Sequence, residues 1–307
     1  MALQAPALRG VRAGGARLSA YVALTKPRII ELLLVTTLPT MVVAERGLPP
    51  LGLVVATLVG GALAAGGANA INMVVDRDID RVMHRTRNRP LVTGAVTPRA
   101  ALTFALGLEA AAFVELWLAV NLLSAVLAVS ATAFYVFVYT LWLKRRSSQN
   151  IVIGGAAGAV PVLVGWAAVT GSLAWPPVVL FAIIFIWTPP HFWALAVRYR
   201  EDYEAADVPM LPVVASMRRT TGEILVYTVA LVATTLLFAP VADMGLLYLL
   251  SAAVLGAVYI AMAARLWGRA RRDLATTADA MRLFKYSITY LTLLFVVMAA
   301  DVLVRYH

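Results

Sequence analysis

The stretch LGLVVATLVGGALAAGGANAI, residues 51–71, is followed at once by NMVVDRDID, residues 72–80. The first part has the length of a helix that crosses a bilayer, which needs roughly 20 apolar residues. The second part places three carboxylates, those of Asp76, Asp78 and Asp80, against the end of that span. Ionisable groups beside a membrane span are costly and usually serve a function. This junction therefore indicates both a membrane protein and the position of a site.

The composition of the whole chain is that of an integral membrane protein. Of its 307 residues, 62% are hydrophobic and only 14% are charged, which is outside the usual range for soluble domains. The chain has no cysteine, which excludes disulfides, thiolate metal ligands and cysteine nucleophiles. Nine apolar stretches predict an all-α protein with nine transmembrane helices, at residues 29–46, 51–71, 100–120, 122–143, 151–169, 175–197, 222–241, 244–264 and 286–304.

The placement of basic residues predicts how these spans are oriented. All but two of the 26 Lys and Arg residues lie on one side of the nine spans, and the exceptions are Arg46 and Arg305. Because basic residues gather in short cytoplasmic loops, we expect the amino terminus in the cytoplasm and the carboxyl terminus outside. The net charge of +10 then reflects topology. Since the basic residues are dispersed among apolar spans, they do not indicate nucleic-acid binding.

We predict one transmembrane domain over residues 29–304, with a flexible basic tail at 1–28 and an external end at 305–307. The tail has no long apolar core, so it is not expected to be a secretory signal. The long charged loops follow the second and the sixth spans. This spacing predicts two four-helix half-repeats around a central cavity, plus a ninth helix. We expect the cavity to open to the cytoplasmic side of a bacterial-type cell (inner) membrane.

Helical spacing selects three residues of the first charged loop. If the second helix continues through this loop, Asn72, Asp76 and Asp80 share one face and Asp78 points elsewhere. Mg²⁺ would relieve the repulsion between the carboxylates, and it typically binds one or two of them together with phosphate oxygens of a substrate. Arginines that suit phosphate follow closely, namely Arg77, Arg81, Arg85, Arg87 and Arg89. The loop therefore predicts a Mg²⁺–diphosphate site. The alternative is a solvated loop in which Asp and Arg pair with one another.

The block Trp187-Thr-Pro-Pro-His191-Phe-Trp193 lies within the sixth span. Pro189 and Pro190 cannot continue regular helix hydrogen bonding, and we expect them to break this helix. Such breaks persist at membrane depth where the backbone lines a cavity or packs in protein, so the sixth helix is expected to face the site. Taken alone, a histidine here is more often a structural residue than a ligand.

These blocks resemble the UbiA superfamily of intramembrane prenyltransferases. The resemblance rests on Asn72-x-x-x-Asp76-x-x-x-Asp80 followed by Arg-Thr-Arg-Asn-Arg-Pro-Leu at 85–91. Further blocks are similar to its protohaem IX farnesyltransferase subfamily and extend the resemblance over roughly residues 25 to 215. They are Thr25-Lys26-Pro27-Arg28, Tyr139-Thr-x-x-Leu-Lys144-Arg145, Gln149-Asn150-Ile-Val-Ile-Gly-Gly, the block at 187–196, Arg200-Glu-Asp-Tyr203 and Val208-Pro-Met-Leu-Pro212.

The resemblance implies transfer of a farnesyl group from farnesyl diphosphate to a vinyl group of haem b. Water would add a hydroxyl group, giving haem O and diphosphate on the route to haem A for terminal oxidases. It also implies Mg²⁺ as cofactor, the lipid bilayer as surroundings, and a haem A synthase or oxidase assembly protein as partner. Two alternatives stay open: a UbiA-type enzyme acting on a quinone precursor or a chlorophyll-like acceptor, and a membrane transporter. The Pro-Pro-His-Phe-Trp block argues against the first. Glu109 and Glu115 have no obvious basic partner within the spans, which argues against the second.

The resemblance also implies roles for individual residues. Catalytic and metal-binding roles fall to Asn72, Asp76 and Asp80, with Asp202 and Glu201 as further metal candidates. Diphosphate-binding roles fall to Arg85, Arg89, Arg81, Lys26, Lys144 and Arg145, with topological anchoring as the alternative for the basic residues at span ends. Haem-binding roles fall to His191, Trp193, Arg198 and Arg200. Tyr199 and Tyr203 stand where many members carry a second pair of carboxylates, which puts a second Mg²⁺ in doubt.

Overall fold

The structure, a computed structural model, describes residues 17–306, without the side chains of residues 28, 29 and 31–34. Most of the predicted amino-terminal tail, and His307, therefore lie outside the described residues. Within that part the chain is helical and forms no strand. The nine long helices of the described range are α1 Pro27–Glu45, α2 Leu51–Val75, α3 Pro98–Ala119, α4 Leu122–Ala133 with its π-helical continuation Phe134–Leu143, α5 Asn150–Thr170, α6 Trp175–Arg198, α7 Met217–Val241, α8 Leu246–Ala270 and α9 Thr277–Tyr306.

The long helices correspond one to one with the nine predicted spans. Among the described residues, α2 to α9 are each long and apolar enough to cross a membrane, while α1 contains the positions whose side chains are not described. The protein is therefore a multi-pass membrane protein. Helix bounds differ from the apolar stretches mainly at the charged ends, since α8 continues to Ala270 and α9 already begins at Thr277. Backbone hydrogen bonding continues through polar residues that leave the bilayer, and hydropathy does not register those turns.

Helix neighbours repeat with a shift of four along the chain. The pairs α2–α3, α3–α4, α4–α5 and α2–α5 have counterparts in α6–α7, α7–α8, α8–α9 and α6–α9. This pattern supports the predicted half-repeats. Helix α9 packs against α6 and α8 as α5 packs against α2 and α4, and it also packs against α1.

Small residues let the helices of the first half approach closely. A Cβ at Gly67 of α2 would lie 3.0 Å from the carbonyl oxygen of Ala105 in α3, so this contact needs glycine. The intramembrane acid Glu109 packs at the same contact and accepts a hydrogen bond from Thr132 of α4 (3.2 Å). Close packing of small residues takes the place of the hydrophobic drive, which is weak between helices in lipid.

Larger side chains fill the second half, where the buried tyrosines Tyr248 and Tyr290 bond their hydroxyls internally. Tyr248 donates to the carbonyl of Thr235 (2.9 Å), and Tyr290 bonds the hydroxyl of the same threonine (2.8 Å). On α9, the buried Asp301 accepts backbone amides at the start of α8 from Gly245 (2.6 Å) and Tyr248 (3.1 Å). Polar groups inside a bilayer need such internal partners.

Four short helices lie in the two charged loops. Arg77–Val82 and Pro90–Thr93 follow α2, and Arg200–Ala205 and Leu211–Val214 follow α6. Both loops therefore have defined backbones that can hold side chains in place.

Candidate functional site

The first charged loop begins with a bend at Asp76. Helix α2 ends at Val75, Asp76 adopts φ −85° and ψ 8°, and the short helix Arg77–Val82 follows. The condition under which the spacing was considered, one helix that continues through the loop, is therefore not met at this residue. The four-residue spacing nevertheless survives, because Asp76 N–H bonds the Asn72 carbonyl (2.9 Å) and Asp80 N–H bonds the Asp76 carbonyl (2.8 Å).

The bend buries one set of side chains and exposes another, as the helical spacing predicts. The exposed fractions are 3% for Asn72, 0% for Asp76 and 2% for Asp80. The side chain of Asp78 remains 65% exposed. Two buried carboxylates at the end of a membrane span require compensating cations.

Each carboxylate of the loop has a basic partner. Lys144, at the end of α4, donates to Asp76 Oδ2. Arg89 Nη1 bonds both oxygens of Asp80, at 2.8 and 2.7 Å. Arg145 bonds both oxygens of the exposed Asp78 at 2.7 Å, and this hydrogen bond lowers the pKa of Asp78 to about 2. The Asp78 pair matches the solvated-loop alternative, whereas the pairs of Asp76 and Asp80 are buried.

A chain of hydrogen bonds fixes the amide of Asn72. Lys26 Nζ donates to Asn72 Oδ1 (2.8 Å), while Asn72 Nδ2 donates to Asp76 Oδ2 (2.8 Å) and to Thr140 Oγ1 (3.1 Å). Burial, together with the positive charges of Arg89 and Lys144, lowers the pKa of Lys26 to about 7. The ammonium groups of Lys26 and Lys144 thus lie beside Asn72 Oδ1 and Asp76 Oδ2, which are oxygen atoms that could bind a metal ion.

The π-helical segment of α4 brings two of these groups to the loop. In this segment Thr140 Oγ1 donates to the carbonyl of Tyr135, five residues earlier (2.9 Å), and Lys144 N–H bonds the carbonyl of Tyr139 (2.9 Å). π-helical turns are rare and frequent at functional sites. Here the wider turn aims Thr140 at Asn72 and Lys144 at Asp76.

One carboxylate oxygen of the cluster has no hydrogen bond. Asp76 Oδ1 is buried and makes no hydrogen bond among the described residues, and Arg145 Nη2 lies 4.0 Å from it. In the same part of the chain, no three His, Asp or Glu side chains stand close enough to hold a metal ion alone. The donor set fits Mg²⁺ bound by a protein carboxylate and completed by phosphate oxygens.

The second charged loop is joined to the first through Asp202. Its two oxygens accept the backbone amides of His84 (3.1 Å) and Arg85 (3.2 Å), and the Arg85 guanidinium lies 5.1 Å from the Tyr199 ring centroid. Tyr203 is buried beside this contact, and burial raises the pKa of its hydroxyl. Tyr199 and Tyr203 therefore stabilise the contact between the two loops.

The remaining loop candidates lie at the surface of this assembly. Arg81, Glu201 and Arg200 are exposed. Arg198 is exposed as well and lies 5.7 Å from the Tyr199 ring. The structure thus brings Lys26, Arg89, Lys144 and Arg145 to the buried carboxylates, and leaves the others nearer solvent.

The residues of the sixth-span block occupy two different helix contacts. His191 Nδ1 bonds the hydroxyl of Ser287 in α9 (2.7 Å), whereas Trp193 packs edge-to-face on Tyr227 of α7, with ring centroids 5.4 Å apart. The expected break is wrong, because α6 runs through both prolines to Arg198. Both proline rings are buried, so packing in protein compensates for the missing backbone donors.

Comparison with known proteins identifies the family. The UbiA prenyltransferase family matches residues 33–289. The chain belongs to this family. It is 56% identical to a protoheme IX farnesyltransferase of Parafrankia sp. over 94% of this chain and 91% of that protein. It is 57% identical to the protoheme IX farnesyltransferase of Nocardioides sp. over 92% of this chain and 91% of that protein.

Solved structures show the same fold at low sequence identity. A digeranylgeranylglyceryl phosphate synthase aligns with a TM-score of 0.76 at 17% identity, covering 93% of this chain and 98% of its own. A UbiA homologue from Archaeoglobus fulgidus bound to GPP and Mg²⁺ aligns with a TM-score of 0.60 at 18% identity, covering 91% and 99%. The helical arrangement of the UbiA family is therefore that of this chain.

Two residues of this UbiA-family chain were not selected from sequence, although each bonds a candidate site residue. Thr140 lies inside the block at 139–145, so its position beside Lys144 and Arg145 in the sequence indicates that it can lie near the site. Ser287 lies in a helix that carried no motif, and only the fold brings it to His191.

Proposed function

We propose that this chain transfers the farnesyl group of farnesyl diphosphate to a vinyl group of haem b, giving haem O and diphosphate. Relatives that share more than half of its residues over nine-tenths of the chain carry the name protoheme IX farnesyltransferase. The structural observation that carries the proposal is the buried Asp76, with one oxygen unpartnered and cations around it. This arrangement suits a metal–diphosphate group.

Asp76, with Asn72 and Asp80 beside it, would hold Mg²⁺, which when bound neutralises charge on the diphosphate. Lys26, Lys144, Arg89 and Arg145 would exchange their present carboxylate and amide partners for diphosphate oxygens. Arg85 and Arg81 would meet the diphosphate at the mouth of the site. The same groups then stabilise the charge that grows on the leaving diphosphate.

The reaction needs no nucleophile from the protein. The bond between C1 of the farnesyl group and the diphosphate oxygen breaks, and its electrons leave with the diphosphate. The terminal vinyl carbon of haem b bonds to C1, which leaves a positive charge on the inner vinyl carbon, stabilised by the porphyrin. Water adds there and loses a proton, giving the hydroxyethylfarnesyl side chain. The apolar helices would keep water from the allylic cation formed first.

On the haem side, we propose that His191 and Trp193 contact the macrocycle and that Arg198 and Arg200 bind its propionates. The exposure of both arginines beside the second loop suits carboxylate groups at the membrane surface. Asp202 and Glu201 remain candidates for a second metal position.

The charge distribution supports a site on the cytoplasmic side of the bacterial cell membrane, with the amino terminus in the cytoplasm and the carboxyl terminus outside. The product would pass to a haem A synthase or an oxidase assembly protein. Membership of the UbiA family favours an enzyme over the transporter alternative.

The test is product formation by the purified full-length chain in detergent. Haem b, farnesyl diphosphate and Mg²⁺ are incubated with it, and the hydroxyethylfarnesyl adduct is sought by mass spectrometry. Asp76→Asn is expected to lower the rate by about 10²–10³-fold, as for loss of a group that stabilises transition-state charge. Asp78→Asn, a matched change at the exposed carboxylate, is expected to retain most activity. A folded protein that makes no adduct, or an Asp76→Asn variant as active as the parent, would contradict the proposal. Prenylation of a quinone precursor instead would favour the alternative acceptor.

A further inference from the structure

Ser287 of α9 is the point at which two side chains of α6 are held. Trp187 Nε1 donates to the backbone carbonyl of Ser287 (2.9 Å). The Ser287 hydroxyl contacts both His191 Nδ1 (2.7 Å) and the carbonyl oxygen of Phe284 (2.6 Å). Ser287 is fully buried and His191 is 7% exposed, so water does not compete for these bonds.

The position of the serine hydrogen follows from these distances. The Ser287 and Phe284 oxygens lie 2.6 Å apart, which requires a hydrogen between them, and a carbonyl has none to give. The single hydrogen of the Ser287 hydroxyl is therefore directed at Phe284. Ser287 can then only accept from the imidazole, so Nδ1 of His191 carries the proton. Neutral His191 is thereby fixed as the Nδ1–H tautomer, with a lone pair on Nε2.

The ring has little freedom to change this arrangement. It stacks on Trp187 at 4.1 Å between centroids with an interplanar angle of 19°, and Phe284 lies at 4.6 Å. Nε2 makes no hydrogen bond among the described residues. A lone pair on Nε2 cannot donate to a haem propionate, and a carboxylate would be repelled by it. It can bind a metal ion, and metal-bound histidines generally donate their other ring N–H to a fixed acceptor.

We infer that Ser287 is a positioning residue that holds His191 as the Nδ1–H tautomer, so that Nε2 is an axial ligand of the haem iron during the reaction. This inference rests on the proposed function, because it takes haem b as the substrate. It assigns His191 the role of a ligand to the haem iron and not that of a polar group beside the macrocycle. It also gives α9 a part in substrate binding that its sequence does not indicate.

The tautomer can be measured without haem. The full-length chain, labelled with ¹⁵N-histidine, is reconstituted in lipid and studied by NMR. The chain has three histidines, and the signals of His191 are identified by their loss in His191→Ala. A protonated Nδ1 and an unprotonated Nε2 are expected. A protonated Nε2 with an unprotonated Nδ1 would overturn the inference at its first step.

The ligand role is tested by comparing haem b with metal-free protoporphyrin IX, which has the same macrocycle and propionates but no iron. Binding of each is followed by the Soret band in the parent, Ser287→Ala, Ser287→Thr and Ser124→Ala. Ser124 is a fully buried serine of α4 that contacts no histidine, so Ser124→Ala controls for loss of a buried hydroxyl. Ser287→Thr keeps the hydroxyl.

We expect Ser287→Ala to weaken haem binding by about 10–100-fold and shift its Soret band, while protoporphyrin IX affinity stays within about twofold. Ser287→Thr should restore both haem affinity and spectrum, and Ser124→Ala should match the parent. Equal weakening of haem and protoporphyrin IX by Ser287→Ala would mean that the serine only joins α6 to α9. A parent that forms the adduct, with a Soret band unchanged in Ser287→Ala and His191→Ala, would overturn the ligand role and leave the proposed function intact. A folded parent that binds no haem would overturn both.

Discussion

Replacement of Lys144 by methionine isolates the buried ion pair at the centre of the site. Asp76 is completely buried, and only 14% of the Lys144 side chain is exposed. Lys144→Met removes the ammonium that donates to Asp76 Oδ2 and keeps a side chain of similar length. Removing one partner of a buried pair typically costs about 3–5 kcal/mol, because it leaves an uncompensated charge. The Asn72 amide and Arg145, at 4.0 Å, remain beside Asp76, so we expect the lower end, about 3 kcal/mol.

The free energy of unfolding is measured by denaturant titration of the full-length chain in detergent. The double variant Asp76→Asn/Lys144→Met removes both charges, and it should recover most of the loss. Asp78→Asn weakens the pair between Arg145 and the exposed Asp78 without removing a cation from Asp76, and it should cost less than about 1 kcal/mol, as surface pairs usually do. Loss of stability in the double variant equal to the sum of the two single losses would refute the reasoning, since the charges would then not interact.

Magnesium gives the same variant a second readout. In the parent, the ammonium of Lys144 lies on Asp76 Oδ2 and repels a metal ion that approaches the unpartnered Oδ1. In Lys144→Met this ammonium is absent, and Mg²⁺ alone should stabilise the variant more than the parent. Binding at 100 times the dissociation constant adds about 2.7 kcal/mol, which would recover most of the loss. If Mg²⁺ stabilises the parent and Lys144→Met equally, Asp76 does not bind it.

Two further changes probe the surroundings of this pair. Thr140→Val removes the hydroxyl that accepts from Asn72. We expect a loss of about 1–3 kcal/mol in unfolding free energy for the unpaired amide and lower activity, whereas Thr140→Ser should match the parent in both assays. The pKa of Asp78 is lowered to about 2, chiefly by its hydrogen bond with Arg145. The contribution of ionised Asp78 to the free energy of unfolding is therefore nearly complete above about pH 4. That contribution is lost as the pH falls towards 2. The stability difference between the parent and Asp78→Asn, followed from pH 7 to pH 2, should shrink as the pH falls and stay below about 1 kcal/mol throughout, because the group is exposed.

The membrane spans could be predicted from sequence because the bilayer acts on each of them separately. Each span must be apolar over a fixed length, whatever its neighbours are. The predicted ends of the spans were less accurate than their number, since α9 begins nine residues before the predicted position at 286. The helix continues through Arg282 and Lys285 outside the apolar zone, where hydropathy carries no information. The expected break at Pro189 failed for a related reason: two buried rings pack well enough to keep α6 continuous.

The site was predictable where its residues are close in sequence. Asn72, Asp76 and Asp80 lie one helical turn apart, and the bend at Asp76 keeps their backbone hydrogen bonds. Lys26 and Lys144 come from two other helices, and nothing in the sequence pairs them with Asn72 and Asp76. A single serine in an apolar helix, such as Ser287, has no pattern by which to be selected. Such residues become visible only when the fold brings distant segments together.

Charge arithmetic at the site favours one bound metal ion. Asp76 and Asp80 are buried with Lys26, Lys144 and Arg89 around them, and the charge of Arg145 is balanced by Asp78. This leaves one positive charge when Lys26 is protonated. A bound anion favours that protonated form. A prenyl diphosphate carries about three negative charges at neutral pH, so a single Mg²⁺ brings the assembly to neutrality. A second Mg²⁺ would leave two positive charges in excess at the end of a membrane span. It would also draw its ligands from the second loop, where both oxygens of Asp202 already accept backbone amides of the first loop and Glu201 is exposed.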